Sequence, residues 1–219
     1  MIVTLDGPAG AGKSTAARAL AARLGWCYMD TGAMYRAVAL VALERGVPLD
    51  DGPLVAALAE GLAIEFCDGR VLADGRDVSA EIRTERVTRA TRPVADAPPV
   101  REVLTCRQRR RAVGLDLVTE GRDQGSEVFP DAEVKVFLTA SARERARRRH
   151  DEQVARGLGC SLEDVARDQA RRDEGDRTRP IGKLEPAADA VVLETDGLSR
   201  EQVVERLVAL VRSRGGASR

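Results

Sequence analysis

Asparagine is absent from this sequence, lysine occurs only at positions 13, 135 and 183, and histidine only at position 150. Without asparagine there is no N-K-x-D type base reader of a guanine-specific switch and no catalytic-loop asparagine of a protein kinase. The lone His150, set in a run of arginines, reads as a solvated helix residue and leaves neither a Ser-His-Asp hydrolase nor a multi-histidine metal site. Cys27, Cys67, Cys106 and Cys160 lie far apart with no C-x-x-C pair. That spacing fits neither a disulfide frame nor a zinc site; it points to a reduced compartment and to cysteines used as small apolar fillers. No stretch of about 18 apolar residues occurs and no charged leader precedes an apolar segment, so neither a spanning helix nor a signal peptide is expected, and the expected location is cytoplasmic. Charge shows no excess of either sign, with 35 basic against 35 acidic residues, so no long-range field favours DNA or a membrane surface. The cluster Arg143, Arg145, Arg147, Arg148 and Arg149 is interleaved with Glu144 and followed by Asp151 and Glu152. It lacks the aromatic residues on which bases stack, so no nucleic-acid partner is expected.

What is present begins with DGPAGAGKST, Asp6 to Thr15. Ile2 to Leu5 is a short β-prone run, and Lys13 to Leu24 carries alanines and leucines at helical spacing, giving strand, glycine loop and helix. Such a loop turns its backbone N–H groups around a phosphate while the helix points its positive end at the same place. Gly7, Pro8, Ala9, Gly10, Ala11, Gly12, Lys13, Ser14 and Thr15 are therefore the expected ATP-binding residues. Lys13 would reach the β and γ phosphates, and the Ser14 hydroxyl would help hold Mg²⁺. A glycine-rich turn with no ligand is the alternative, and GTP is the alternative nucleotide.

Four more short apolar runs predict buried parallel strands: Trp26 to Met29, Leu115 to Thr119, Val134 to Leu138 and Ala190 to Glu194. After the last, Ser199-Arg200-Glu201-Gln202 has the pattern of a capping box. It opens a helix with Val203, Val204, Leu207, Val208 and Val211 on one face. The length suits one domain over residues 1–219, an α/β sandwich around a parallel sheet. Between about 61 and 80, Asp68-Gly69 and Asp74-Gly75 punctuate β-prone pieces and predict a small antiparallel insert. From about 145 to 180 arginines recur through helical stretches, interrupted at Gly157-Leu158-Gly159 and at Gly175, as in a mobile lid.

Phosphate loops serve switches, motors and kinases alike, so the fate of the phosphate needs a second set of residues. MDTGAMYR, Met29 to Arg36, offers a hydroxyl at Thr31 and a guanidinium at Arg36. Glu120-Gly121-Arg122-Asp123 follows the Leu115 to Thr119 strand, and strand C-termini are where open α/β sheets bind ligands. Arg122 and Asp123 could hold one anion and one donor group there, or could form a structural ion pair in a turn. Gly75-Arg76-Asp77 repeats the tripeptide at a hairpin tip and is read as structural.

GPAGAGKST, MDTGAMYR, the insert ending in DVSAEIRTERV, PPVREVL, EGRDQGSEVFPDA, KVFLTAS and RRDEGDRTR resemble, in order and spacing, the motifs of the bacterial cytidylate kinase family, from Ile2 to about Leu210. The resemblance implies a phosphate-loop three-layer α/β sandwich with a five-stranded parallel sheet, the small insert and an arginine-rich lid. It implies transfer of the ATP γ-phosphoryl group to CMP or dCMP with Mg²⁺, by a monomer. Carried over residue by residue, it puts Thr31, Arg36 and Arg122 at the acceptor phosphate, Arg101 and Asp123 on the cytosine, and Arg172 and Asp176 on the sugar. Arg179 falls among the lid arginines near the phosphates, so that Lys13, Arg122, Asp123 and Arg179 carry catalysis. Two stretches depart from the family. Arg92, between Thr91 and Pro93, stands where a serine touches the base, and Gln124-Gly125-Ser126-Glu127 puts an acidic residue where a strand-start valine is common. The competing readings are a related kinase for UMP, AMP or an acceptor such as shikimate, and a nucleotide-dependent switch.

Overall fold

The computed structural model describes residues 1–67, 69–155, 157, 159–179 and 181–215, and the chain divides into two compact units. The first comprises residues 1–28 and 114–219. Its sheet has five strands in the order β2-β6-β1-β7-β8: β1 Ile2–Asp6, β2 Cys27–Asp30, β6 Leu117–Glu120, β7 Val134–Thr139 and β8 Val191–Glu194. β1 pairs in parallel with β6 on one side and β7 on the other, and β7 pairs in parallel with β8. Val3, Thr4 and Leu5 are all buried, so β1 shows none of the alternation of a strand with one face in water. Leu5 lies beside Glu120 and Asp6 beside Phe137. The chain therefore leaves β1, β6 and β7 at the same edge, and this register gathers the glycine loop and the segment after Glu120 side by side.

Helices α1 (Lys13–Leu24) and α8 (Arg200–Ser213) complete the core of this unit. Ala16, Ala17 and Leu20 of α1 and Val203, Val204, Leu207, Val208 and Val211 of α8 join Val3, Leu5, Val118, Val134 and Val136 in one cluster. Each fully buried valine or leucine side chain of this cluster contributes about 1.5–3 kcal/mol. α8 starts as its sequence predicts: Ser199 Oγ accepts from the Gln202 amide at 3.2 Å, and Gln202 Oε1 accepts from the Ser199 amide at 2.8 Å.

The second unit, residues 29–113, holds α2 Thr31–Glu44, α3 Gly52–Gly61, α4 Glu85–Asp96 and α5 Pro98–Ala112, with α2 packed on α4 and α3 on α5. It also contains the antiparallel sheet of β3 Ile64–Cys67, β4 Arg70–Ala73 and β5 Arg76–Asp77. The two-residue link Asp74-Gly75 has φ of 48° and 78°, the left-handed pair a tight hairpin demands. Asp68, in the other expected turn, lies outside the described residues. Arg76 pairs with Glu44 at 2.6 Å and Asp77 accepts from Ser79, so this copy of the tripeptide is structural.

Two expectations, for Gly175 and for the cysteines, are corrected. The helix α7 (Leu162–Arg177) runs unbroken through Gly175, because one interior glycine costs only about 1 kcal/mol and Gly175 lies on a face that is buried along with Val165, Gln169, Asp173 and Asp176. The departure at Glu127 has a local account: Gln124–Val128 forms a single π turn in which Val128 points inward and Glu127 is exposed, so the acidic residue meets water. The cysteines are not buried fillers: Cys27, Cys67 and Cys106 are exposed and Cys160 is half-buried. Among the described residues no helix is long and apolar enough to cross a membrane.

Urea unfolding provides a check on this ledger of contacts. Leu207→Ala is expected to lower stability by about 2–5 kcal/mol through the cavity it leaves, and Ser199→Ala by about 1 kcal/mol through the lost cap. Equal losses would contradict a core centred on α8.

Candidate functional site

The glycine loop is built where backbones touch. A Cβ on Gly7, at φ 142°, would stand 2.0 Å from the Leu138 carbonyl oxygen, so only glycine lets β1 end against β7. Gly10 and Gly12 have φ of 80° and 90°, a region that side chains disfavour. Gly12 caps α1 without a side-chain hydrogen bond, which leaves the first amides of the helix to an outside anion. Ser14 and Thr15 are exposed.

Lys13 is buried and donates from Nζ to the Pro8 carbonyl at 2.9 Å. Burial pushes its pKa down to about 7; the charges of Arg122 and Arg172 act in the same direction, while Glu120 and Asp6 oppose them. A desolvated ammonium next to arginines is an electrostatic vacancy for an anion, since a phosphate would supply the negative charge the site lacks.

The segment after β6 is fastened to the root of this loop. Asp6 Oδ1 accepts from the Gln124 amide at 2.9 Å and Oδ2 from the Gly125 amide at 2.8 Å. Burial raises the Asp6 pKa to about 6 against those two hydrogen bonds, and the neighbouring Asp123 charge adds to the rise. Arg122 extends its Nε to Asp176 Oδ2 at 2.9 Å, and Arg179 reaches Asp176 Oδ1 at 2.9 Å. Burial pushes the Asp176 carboxyl up, but the charges of Arg122 and Arg179 outweigh it and hold the group below the usual carboxylate range. Asp123 is buried, and Arg172 is exposed on α7.

α7 and α6 (Ala142–Ala155) also grip the loop. The Ala9 carbonyl accepts from Arg145 at 3.1 Å and from Gln169 at 3.2 Å, while Arg145 pairs with Asp173 at 2.5 Å. Arg148 donates to Thr195 and to Glu144, and Thr195 Oγ1 lies 3.4 Å from the Ala11 carbonyl. Hydrogen bonds from Arg147, with those of Arg148, bring the Glu144 carboxyl down to about 2. The arginine run is thus divided: Arg147 and Arg149 pair along the exposed helix, whereas Arg145 and Arg148 turn toward the loop.

In the second unit, Asp30 accepts from the Ala33 amide at 2.9 Å and caps α2, placing buried Thr31 in its first turn. Arg36 is held by the Ile82 carbonyl at 3.0 Å and Thr88 Oγ1 at 2.8 Å. Arg101, buried on α5, donates to the Ala95 carbonyl at 3.2 Å and places its guanidinium 5.9 Å from the Tyr35 ring. Arg92 is exposed and lies 3.4 Å from Asp96, one turn along α4.

Lys13, Arg122, Asp176 and Arg179 are therefore drawn together in the first unit, with Asp123 and Arg172 near enough to act on the charges of Asp6 and Lys13. Asp6, Arg145, Gln169 and Asp173 were given no role by sequence reasoning. Gln169, Asp173 and Asp176 follow helical spacing on a polar helix, which marks a face that must meet partners. Asp6 had a plainer signal: a carboxylate that ends an apolar strand.

A sequence model described as cytidylate kinase matches residues 3–213. A cytidylate kinase of Rhodopirellula baltica is 50% identical over 212 residues, which covers 97% of this chain and 93% of that protein. One from a Geobacillus species is 45% identical over 218 residues, covering 98% and 97%. Among solved structures, TT1252 from Thermus thermophilus aligns with a TM-score of 0.50 at 20% identity over 97% of this chain and 96% of that one, a likeness of fold alone. With the fold, the glycine loop and near-complete alignment in agreement, the chain belongs to the cytidylate kinase family.

Proposed function

We propose that the chain moves the γ-phosphoryl group of ATP to CMP, and to dCMP, giving ADP and the cytidine diphosphate. The observation that carries this reading is the buried Lys13 at the glycine loop, within reach of the charges of Arg122 and Arg172. Phosphoryl transfer asks little covalent work of a protein, so aligned cations suffice without a nucleophile. Residues Gly7 to Thr15 hold the triphosphate, with Lys13 on the β and γ phosphates. The exposed hydroxyl of Ser14 fits a Mg²⁺ ion carried by ATP, which keeps most of its ligands as waters and phosphate oxygens. Bound there, the ion would supply charge neutralisation between the phosphates.

On the acceptor side, Thr31, Arg36 and Arg122 are assigned to the CMP phosphate, Arg101 and Asp123 to the base, and Arg172 and Asp176 to the sugar, with Arg179 at the phosphates. Asp176 already accepts from Arg122 and Arg179, so it sets the direction of both guanidinium groups while it waits for the sugar. The segment from about 145 to 180 serves as the lid, and Arg145 and Gln169 are the contacts by which it rests on the loop. A monomer acting in the cytoplasm completes the proposal.

ATP consumption measured with CMP, dCMP, UMP and AMP tests it: stoichiometric use with CMP supports a kinase, and indifference to every monophosphate would leave a switch. Lys13→Ala is expected to remain folded and to lose about 10²- to 10⁵-fold in turnover, because a charge at the developing phosphoryl group is worth several kcal/mol. A folded variant that makes CDP at a near-normal rate would refute the assignment.

Lys13 also predicts a proton linkage. Burial favours its neutral form in the free protein, and an anionic ligand favours the charged form. ATP binding above pH about 7 should therefore take up a proton, and affinity should fall as pH rises, by at most about tenfold per pH unit. Calorimetry in two buffers of different ionisation heat measures that uptake, which Lys13→Ala should abolish.

The base assignment has its own test. Cytosine presents an N4 donor beside acceptors at N3 and O2, which suits a carboxylate and a guanidinium, whereas uracil reverses the first two. A buried polar site can reject such a mismatch by up to roughly 10⁴-fold. CMP should greatly exceed UMP in kcat/KM, and Asp123→Ala should narrow the gap. Equal values in the parent would defeat the base assignment and leave phosphoryl transfer standing.

A further inference from the structure

Asp6 takes no part in the roles assigned above, yet its carboxylate is buried and both of its oxygens are held by backbone. It ends β1 immediately before Gly7, is 5% exposed, and spends both oxygens on consecutive backbone amides, Gln124 at 2.9 Å and Gly125 at 2.8 Å. Those amides follow Arg122 and Asp123 directly. The same turn is tied to β1 once more by the Gly121 amide, which donates to the Leu5 carbonyl at 3.1 Å. Its other end is closed by the Glu127 and Val128 amides on the Asp123 carbonyl, at 2.9 and 3.2 Å. The fit is tight: a Cβ on Gly125 would come within 2.8 Å of Thr4 Oγ1 and 3.3 Å of the Lys135 side chain.

A carboxylate whose two oxygens each accept from one of two successive N–H groups fixes the peptide plane between them, whereas an asparagine would set its NH₂ donor against one of those N–H groups. The peptide planes after Asp123 in turn set where the buried Asp123 carboxyl and the Arg122 guanidinium point. We propose that Asp6 is a positioning residue that locks the Arg122–Asp123 turn to the root of the glycine loop, so that Arg122 and Asp123 keep a fixed place relative to the donor loop. The inference rests on the proposed CMP phosphorylation for its kinetic consequence, though not for its structural one. The charged groups that face the Asp6 carboxyl are Asp123 from the turn and Lys13 from α1.

Two measurements test it. In the unliganded wild-type protein, the Gln124 and Gly125 amide proton shifts should titrate together between pH 5 and 8 with one midpoint near 6, since both donate to the same carboxyl. Amides that move with different midpoints, or whose shifts are the same in Asp6→Asn as in the wild type, would overturn the lock. In Asp6→Asn, kcat with CMP should fall about 10- to 100-fold, KM for ATP should change less than about threefold, and the CMP-to-UMP ratio of kcat/KM should shrink. A purely structural role would lower the melting temperature and the active fraction while leaving that ratio as it was, and this result would also overturn the proposal. If Asp6→Asn does not fold, the wild-type titration decides. A wild-type protein that ignores CMP refutes the functional reading alone, and the amide titration still judges Asp6.

Discussion

Keeping an ammonium out of water among guanidinium groups is the constraint on which the C-terminal edge of the five-stranded sheet depends. Lys13 is buried, with Arg122 and Arg172 close enough to destabilise its charge, while Glu120 and Asp6 oppose them. Such an arrangement is costly, because like charges at low dielectric repel strongly and burial removes hydration. It persists because guanidinium groups around the loop are tied to carboxylates: Arg122 and Arg179 share Asp176, and Arg145 pairs with Asp173. The residual positive charge is thereby focused on the glycine loop, although the chain as a whole is neutral.

These ion pairs are better regarded as a geometric frame than as a reserve of stability, since a buried pair recovers little beyond its own desolvation. Their value lies in direction. Asp176 presents one oxygen to each of two arginines, and the Ala9 carbonyl collects donors from both α6 and α7. Loop, turn and the two helices are thus mutually referenced before any nucleotide arrives. Less of the ordering entropy then has to be met at the moment of binding, which is where preorganisation raises affinity and rate.

Much of this was legible in the sequence because it follows local rules. Five short apolar runs became the five strands, the glycine loop sits between β1 and α1, and Ser199 forms the full capping box. What stayed hidden depends on pairing at long range. No local pattern says that Asp6 meets Gln124, 118 positions away, or that Gln169 reaches Ala9 across 160. Gly175 misled because a glycine's helix penalty is small against a face anchored by Asp173 and Asp176, and the turn at Gln124–Val128 stayed unread because a π turn, unlike a strand, has no simple periodic signature. The cysteines misled because residue type was allowed to stand for burial, whereas strand and helix faces decide it.

The near replacement of lysine by arginine has a physical consequence wherever it occurs in this frame. Arg145 donates through Nε to the Ala140 carbonyl at 3.1 Å and through a terminal nitrogen to Ala9 and Asp173; Arg148 reaches Glu144 and both oxygens of Thr195. A planar fork that never loses its proton can serve three acceptors at fixed angles, which a single ammonium on a flexible stem cannot. Lysine is kept at position 13, where the requirement is the opposite. A compact point charge must enter a narrow loop, and its readiness to give up a proton when buried lets the free protein avoid part of the electrostatic cost. The division of labour between the two basic residues thus follows from where charge has to be permanent and where it has to await an anion.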